Sequence, residues 1–337
     1  MFSLLTKYFA LPIQAFILVG LLVPNSWSVE TEPSAEKILS QLTTAMRTQN
    51  YRGVFTYEHG GSLETLELAH AVVDGVEHER YILLNGPEQK LLKDGRRASC
   101  ESLAGRMVRG ATLATSQGNA SHFNDYYHLF FKGYDRVAGR RVAVVQLLPK
   151  DNQRFGMRLG VDVESGVLLQ ALIMLPNKVL ERMQFVAFDY NPKWQAGELE
   201  ALSGVSAAEL DCGEPETTQN QSDHRVKDTQ VWLPAWLPGG FTLSNSRWTE
   251  QDGLVHTYTD GLASFSVFVN PDLVPESKGS RIPRGIAQRG AILVVMELRR
   301  VGEHFLHITL VGEVPQASAV RVMQSIGVPP VPSQSSG

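Results

Sequence analysis

The strongest constraint on the fold is a two-residue alternation of apolar or aromatic side chains with polar ones, which starts at Tyr51. Gly-containing turn sequences, such as Gly60-Gly61 and Asp74-Gly75, divide this alternation into short segments. Side chains on a β-strand point alternately to the two faces of a sheet, and such turns join antiparallel neighbours. The pattern therefore predicts a first domain built on a sheet of about eight or more antiparallel strands, with helices on one side.

Two helices are expected in this domain. Residues 34–48 follow Pro33 and carry an apolar stripe that is typical of an amphipathic helix. Residues 121–132 predict a second helix, because aromatic side chains recur there at helical spacing. The aromatic residues are Phe123, Tyr126, Tyr127, Phe130 and Phe131. The predicted strands are 51–59, 63–73, 78–85, 90–92, 97–101, 141–148, 154–163, 167–175 and 180–189.

The composition changes after residue 190, where Glu, Gln, Thr, Asp and Ser predominate. We interpret 29–190 as the first domain and 191–230 as a linker with a short helix near 196–210. A smaller α+β domain is expected at 231–326, and the Pro- and Ser-rich segment 327–337 is expected to be disordered. The predicted strands of the second domain are 241–248, 254–259, 263–269, 291–298 and 304–311. A last helix is expected after Pro315, with an apolar face formed by Ala317, Val320, Met323 and Ile326.

The first 28 residues have the features of a secretory signal peptide. Lys7 is their only charge, the stretch Phe9–Val23 is mostly apolar, and Ser26 and Ser28 are small residues at the positions a cleavage site requires. We expect cleavage after Ser28 and a periplasmic mature protein. The alternative is an uncleaved anchor, although the apolar stretch is shorter than the about 20 residues that span a bilayer.

The chain has two cysteines, Cys100 and Cys212. An even number of cysteines in an oxidising compartment permits one disulfide between them. Two unpaired thiols are the alternative, and the sequence does not decide between them.

Charge and motifs argue against several functional classes. The formal net charge of −4 lacks the basic excess of a nucleic-acid-binding protein. The chain has no nucleophile elbow, phosphate-binding loop, zinc-protease helix or dinucleotide fingerprint. His304 and His307 are three residues apart on a predicted strand and would point to opposite faces, so they should not bind one metal ion together. We therefore expect no catalysis, no cofactor and no nucleic-acid partner.

Two features are better explained by binding. The first domain has more large apolar residues than one sheet face requires, which either form an ordinary core or line a concave cavity for acyl chains. The candidate lipid-binding residues are Phe55, Tyr57, Leu66, Leu68, Tyr81, Met157 and Leu159. The second feature is a basic loop in the second domain, which either is a solvated loop or binds an acidic segment or phosphates. Its basic residues are Lys278, Arg281, Arg284 and Arg289.

Seven short motifs, in order along both domains, resemble the RseB/MucB family. The motifs are YRGVF at 51–55, LNGP at 84–87, DG at 94–95, RVAGR at 136–140, RFGMRL at 154–159, WLPGGF at 236–241 and YTDGLASFSVFVN at 258–270. The sequence departs from the family pattern at Met157, where the family often has Tyr or Trp. This departure affects the ligand preference and leaves the expected fold unchanged.

The resemblance implies a periplasmic negative regulator of an envelope-stress sigma factor. Such a protein binds the periplasmic part of a membrane-anchored anti-sigma factor of RseA/MucA type and shields it from regulated proteolysis. Acylated lipid or a lipopolysaccharide fragment is implied as the release signal, and a homodimer is one possible assembly. The first domain would be a curved antiparallel half-barrel like that of the lipoprotein carriers LolA and LolB. Lipid or lipoprotein carriage is therefore the alternative function.

Aromatic and arginine side chains contribute most of the binding energy at protein interfaces. We therefore expect the partner to contact the second domain through Trp236, Phe241, Arg281 and Arg284.

Overall fold

The computed structural model describes residues 33–86, 90–94, 97–98, 123–195, 197–203, 232–249, 253–275, 284–301 and 304–327. These residues form two separate antiparallel sheets with a few helices, which confirms the predicted α+β class. The predicted leader, most of the predicted linker, and the tail beyond residue 327 lie outside the described residues.

The first sheet has ten strands in the order β5-β4-β3-β2-β1-β10-β9-β8-β7-β6. Its middle is the pair β1–β10, which joins the beginning of the domain to its end, with Tyr51 opposite Tyr190. Every other neighbouring pair follows chain order. The strands are β1 Tyr51–His59, β2 Ser62–Val73, β3 Val76–Leu83, β4 Lys90–Asp94, β5 Arg97–Ala98, β6 Tyr127–Val137, β7 Arg140–Pro149, β8 Gly156–Asp162, β9 Leu168–Leu175 and β10 Lys178–Tyr190.

Helix α1, Ala35–Thr48, confirms the predicted first helix. The Ser34 side chain caps it by accepting a hydrogen bond of 3.2 Å from the N–H of Lys37. Leu39 and Leu42 on its apolar face are fully buried and belong to the same core cluster as the inner face of the sheet. The amphipathic stripe in the sequence thus covers one face of the sheet.

The predicted aromatic helix at 121–132 is wrong. Only Phe123–Tyr126 is helical (α2), and β6 begins at Tyr127. Along β6, buried Tyr127 is followed by exposed His128, and the strand pairs with β7. The spacing of the aromatic residues matches a helix face, but aromatic side chains also favour the pleated surface of a sheet, and here the segment pairs with β7.

Strand β8 ends at a carboxylate, that of Asp162. It is buried, and both of its oxygens accept hydrogen bonds from Arg140, at 2.8 and 2.7 Å. The hydroxyl and the N–H of Ser165 donate to the same carboxylate. Burial alone would raise the pKa of Asp162, but the hydrogen bonds from Arg140 and Ser165 hold it below its usual value.

The predicted short helix in the linker is present as α3, Glu198–Ser203. Leu202 of this helix is buried against Ala69 and Ala71 of β2. The chain that leaves the first sheet therefore first packs back onto it.

The second sheet has six strands in the order β11-β12-β13-β16-β15-β14. The strands are β11 Thr242–Thr249, β12 Gly253–Thr259, β13 Ser264–Pro275, β14 Gly285–Arg289, β15 Ile292–Val301 and β16 His304–Gly312. The sheet is followed by helix α4, Gln316–Ser325. Five of these strands were expected. β14 was not, because its residues were assigned to the basic loop.

Strand β14 lies at an edge of the second sheet, and all five of its residues are exposed. It pairs with β15 through a tight turn in which Gly290 has a φ of +64°. The turn residue and the apolar pair Ile286-Ala287 explain why a strand forms here. Arg289 is therefore on a strand and not in a loop, whereas Lys278 and Arg281 lie outside the described residues.

The buried face of α4 also differs from the prediction. Ala319, Val322 and Met323 are buried with Ser318, whereas Ala317 is exposed and Val320 half-buried. A polar residue takes a core position because the Ser318 hydroxyl donates a hydrogen bond of 3.1 Å to the carbonyl of Gln153 in the first domain. A hydrophobic pattern alone could not predict this contact.

Candidate functional site at the junction of the two domains

Among the described residues, two of the contacts between the domains are polar and contain ionisable side chains. We call them the Arg154 junction and the Glu181 junction. The first joins the segment before β8 to the start of the second domain, and the second joins β10 to the turn between β14 and β15.

At the Arg154 junction, a guanidinium of the first domain is enclosed by groups from both domains. Its Nη1 donates to Asp260 Oδ2 at 3.0 Å, and its Nη2 donates to the carbonyl of Gly239 at 2.5 Å. Its Nε donates to Asp151 Oδ1 at 3.1 Å. The Arg154 side chain is 0% exposed and that of Asp260 1%, so this ion pair is shielded from water. The closest rings around the guanidinium are those of Tyr126, Tyr127 and Phe241.

Asp260 is held in place by its own turn. Its Oδ1 accepts the N–H groups of Leu262 and Ala263 at 2.9 and 2.8 Å. Its Oδ2 accepts the hydroxyl of Tyr127 at 3.2 Å as well as the guanidinium of Arg154. The carboxylate therefore serves both as the cap of a turn in the second domain and as the partner of the first domain.

The turn before β11 brings its backbone close to the ring of Tyr126 in the first domain. Gly240 has a φ of +82°, and a Cβ on it would lie 2.5 Å from the ring of Tyr126. Only glycine fits both conditions without strain. This explains the two glycines in the sequence WLPGGF.

The environment of the Arg154 junction favours a charged arginine. Burial alone would lower the pKa of Arg154, but Asp151, Tyr127 and Asp260 together hold it above its usual value. Burial also raises the pKa of the Tyr127 phenol far above its usual value, and the nearby charge of Asp260 acts in the same direction. Tyr127 is therefore a neutral donor, and Arg154 carries the positive charge of the junction.

The Glu181 junction is built on a buried carboxylate of β10. Glu181 Oε2 accepts the hydroxyl of Tyr57 at 2.6 Å, and Oε1 accepts the N–H of Ala291 in the second domain at 2.7 Å. A Cβ on Gly290 would lie 2.7 Å from Glu181 Oε1, so the turn fits closely against the carboxylate. Arg289 adds a hydrogen bond of 2.5 Å to the Ser62 hydroxyl.

A cavity of about 490 Å³ lies beside the Glu181 junction. Three turn regions form its walls: the turn between β1 and β2, the turn between β9 and β10, and the turn between β14 and β15. Its lining includes Lys178, Arg182, Arg289, Leu175, Val179 and Leu180. The cavity thus combines basic side chains from both domains with apolar side chains from the first.

The candidate lipid-binding residues lie elsewhere, in the core of the first domain. All seven are at most 5% exposed and belong to the cluster that includes Leu39 and Leu42 of α1. An acyl chain could reach them only if this packing opened, so a lipid site there stays a prediction. The residues are Phe55, Tyr57, Leu66, Leu68, Tyr81, Met157 and Leu159.

The candidate partner-binding residues have different environments. Phe241 is 4% exposed, packs on Phe265 and faces Arg154, so it is part of the domain junction. Trp236 is half-buried, and the guanidinium of Arg321 lies 4.1 Å from its ring centre. Arg284 is exposed. Arg281, Cys100 and Cys212 lie outside the described residues, so their predicted roles stay predictions.

Sequence reasoning did not identify Arg154, Asp260 or Glu181 as functional residues. Arg154 and Asp260 occur within family-like motifs, but nothing in their spacing indicates an ion pair between them. No group of three or more His, Cys, Asp or Glu residues within the described ranges could hold a metal ion. No helix in the same ranges is long and apolar enough to cross a membrane.

Two family models match the chain, one on each domain. The MucB/RseB N-terminal domain matches residues 34–203, and the MucB/RseB C-terminal domain matches residues 226–327. Among curated relatives, the sigma factor AlgU regulatory protein MucB of Pseudomonas aeruginosa is 31% identical over 297 residues, which is 86% of this chain and 89% of that protein. The sigma-E factor regulatory protein RseB of Escherichia coli is 24% identical over 315 residues, 89% of this chain and 93% of that protein.

Solved structures give the same result. A complex of Pseudomonas aeruginosa MucA and MucB matches with a TM-score of 0.67 and 30% identity, over 88% of this chain and 99% of that chain. A structure of MucB in complex with MucA(peri) matches with a TM-score of 0.66 and 30% identity, over 88% of this chain and 100% of that chain.

Proposed function

This chain belongs to the MucB/RseB family, and from that premise we propose that it is a periplasmic negative regulator of an envelope-stress sigma factor. It binds the periplasmic part of a membrane-anchored anti-sigma factor of MucA type. While bound, it shields that segment from regulated proteolysis, and a lipid-type signal releases it. It acts by occupancy and performs no reaction itself.

The observation that carries the proposal is the match of both domains to MucB proteins solved with MucA or MucA(peri). A match limited to the first domain would favour a lipid carrier equally well. The carrier alternative is less well supported, because the seven residues expected to line its cavity are packed in the core.

The two junctions offer a physical basis for regulation. A partner or ligand changes the arrangement of two domains only to the extent that it binds one arrangement better than another. The Arg154 and Glu181 junctions are polar contacts that stabilise the described arrangement. A ligand that favours these contacts and a partner that opposes them would therefore weaken each other's binding by the same factor.

The proposal is tested by measuring the affinity of the mature protein for the periplasmic segment of the MucA-type anti-sigma factor from the same organism. Fluorescence anisotropy of the labelled segment should show saturable binding, and the bound segment should be cleaved more slowly by a periplasmic protease. The absence of saturable binding would contradict the proposal.

Two substitutions locate the binding surface. Arg284→Glu should weaken binding by about tenfold or more, because it reverses an exposed charge on the predicted surface. Arg136→Glu, an equivalent charge reversal at an exposed position of β6, is the matched control and should leave the affinity unchanged. Equal losses in both variants would indicate a general charge effect and not a docking surface.

The leader and the assembly belong to the same proposal. N-terminal sequencing of the protein recovered from the periplasm should begin at Val29. Sedimentation analysis with and without the anti-sigma segment would show whether the protein forms a homodimer and whether binding of the segment dissociates that dimer into monomers.

A further inference from the structure

A second cavity, of about 420 Å³, lies on the face of the first sheet that points away from α1. Its floor consists of the short side chains of Val54, Ala69 and Ala187, from the adjacent strands β1, β2 and β10. Successive residues on a strand point to opposite faces, and Phe55, which follows Val54, is buried in the core with α1. The cavity therefore opens on the side of the sheet opposite that core. None of its lining residues takes part in the Arg154 or Glu181 junction.

One wall of this cavity is aromatic. Trp194 lies between the end of β10 and the start of α3, and it is half-buried against the cluster that contains Ala69 and Leu202. An indole ring held by packing offers a rigid apolar surface, which loses little conformational freedom when a ligand binds. Such a surface suits a flat ligand with an apolar face.

The other walls carry charges that are already paired. Two guanidiniums and three carboxylates line the cavity. Arg52 Nε lies 3.2 Å from Asp189 Oδ2, and Arg52 Nη1 lies 3.6 Å from Glu198 Oε1. Arg80 Nη2 lies 3.6 Å from Glu67 Oε1. Since the cations and the carboxylates nearly balance, the cavity has little net charge with which to attract an ion.

The paired side chains keep the capacity for more hydrogen bonds. A guanidinium has more N–H donors, and a carboxylate more lone pairs, than one ion pair uses. The five side chains are between 23% and 51% exposed, so a ligand can reach them. A hydroxyl group both donates and accepts, so neighbouring hydroxyls can bridge the two members of an ion pair without separating them. The ligand that fits is an uncharged ring with several hydroxyls and one apolar face.

We propose that this cavity binds a pyranose ring of a neutral oligosaccharide. The ring stacks on Trp194, and its hydroxyls bond to the pairs Arg52–Asp189 and Arg80–Glu67. This site goes beyond the proposed function, because it assigns to the first domain a ligand that has no phosphate, acyl chain or peptide. The volume of the cavity is within the range of sites for small ligands. The chemistry recognised is that of a hexose chain, which can consist of amino sugars or of glucose alone.

Saturation-transfer NMR of the mature protein with triacetylchitotriose and with maltotriose tests the site. We expect saturable binding of at least one of them, and the tighter binder shows whether amino sugars or glucose are preferred. The absence of saturable binding for both would overturn the proposal. Trigalacturonic acid should bind more weakly, because each of its rings carries a carboxylate that meets the carboxylates of the cavity. Equal or tighter binding of this acid would overturn the assignment of a neutral ligand.

A substitution on the floor tests whether the oligosaccharide lies in this cavity. Ala187 is exposed there, so the ring in Ala187→Phe takes the space of the sugar and should weaken binding about tenfold or more. Ala287→Phe, at an exposed alanine of strand β14 in the second sheet, is the matched control and should leave the Kd unchanged. Unchanged binding in Ala187→Phe would place the ligand elsewhere and overturn the proposal.

The stacking surface is tested separately. Trp194→Ala should weaken binding about threefold to tenfold, because the apolar platform is lost. Trp248→Ala removes a tryptophan of β11 that is 40% exposed, and this matched control should bind normally. Equal Kd values for Trp194→Ala and the unmodified protein would contradict stacking on Trp194. If Trp194→Ala loosens α3, Ala187→Phe still tests the cavity, because it leaves Trp194 in place.

Discussion

The two junctions join the same pair of domains in different ways. At the Arg154 junction an ion pair is buried on all sides and covered by aromatic rings. At the Glu181 junction a carboxylate binds a backbone N–H, and an open cavity lies beside it. A buried charge that loses its ionic partner is very costly, whereas the loss of one neutral backbone donor costs less. The comparison suggests that the first junction contributes more to the stability of the contact between the domains than the second.

The largest expected effect comes from removing the charge of the Arg154 junction. Arg154→Met leaves Asp260 buried without its cation, and we expect a loss of about 3 to 5 kcal/mol of unfolding free energy. Urea unfolding should be followed by tryptophan fluorescence and by circular dichroism. The two signals should separate in the variant if the domains no longer unfold together.

A double variant provides the control for this prediction. Arg154→Met/Asp260→Asn removes both charges and keeps the side-chain oxygen that caps the turn at Leu262. It should be less destabilised than the sum of the two single variants, because no buried charge is left unpaired. If the double variant loses as much unfolding free energy as the two single variants together, the ion pair does not act as a unit.

A smaller effect is expected at the glycine turn of the same junction. Gly240→Ala should cost about 2 to 3 kcal/mol, because the added methyl group meets the ring of Tyr126 at a positive φ. Gly61→Ala is the matched control. Gly61 has the same φ of +82° but no atom within 4 Å of the added Cβ. Thermal unfolding should give about 1 kcal/mol for this control, and equal losses at both positions would show that close packing against Tyr126 contributes nothing.

The Glu181 junction should be easier to alter. Glu181→Gln keeps an oxygen that can accept from Ala291 but weakens the hydrogen bond with Tyr57, for an expected loss of about 1 to 2 kcal/mol. The same urea titration measures it. A loss as large as that of Arg154→Met would remove the distinction between the two junctions.

The smallest effect concerns pH and an ion pair within one domain. The pKa of Asp162 is lowered in the folded state, so its contribution to stability is present above about pH 4 and is lost as the pH falls through the folded pKa. The difference in unfolding free energy between the unmodified protein and Asp162→Asn should therefore shrink in acid. A difference independent of pH would show that Asp162 does not titrate as the geometry indicates.

Much of the fold could be predicted from the alternation of apolar and polar side chains along each strand. Strand β1 has the predicted bounds, Tyr51–His59, because alternation and a glycine turn act together there. The aromatic residues from Phe123 to Phe131 gave a wrong prediction, since their spacing is that of a helix face although a strand begins at Tyr127. Where two local patterns compete, strand pairing decides, here with the neighbouring strand β7, and the spacing of side chains alone does not show it.

The candidate site was less accessible to prediction than the fold. Arg154 and Asp260 are 106 positions apart, and each is a common surface residue type. Their burial depends on how two domains meet, which no local pattern specifies. Phe241 was identified from the sequence as a binding residue, but the structure places its ring inside the junction.

The pairing of β1 with β10 affects the order in which the chain can fold. Arg52 on β1 contacts Asp189 on β10, a separation of 137 positions, so the middle of the first sheet cannot form until nearly all of that domain has been synthesised. Long-range pairing of this kind is slow because a large loop must close first. This delay would keep the nascent chain unfolded for longer than a sheet in which every strand pairs with its neighbour in the chain.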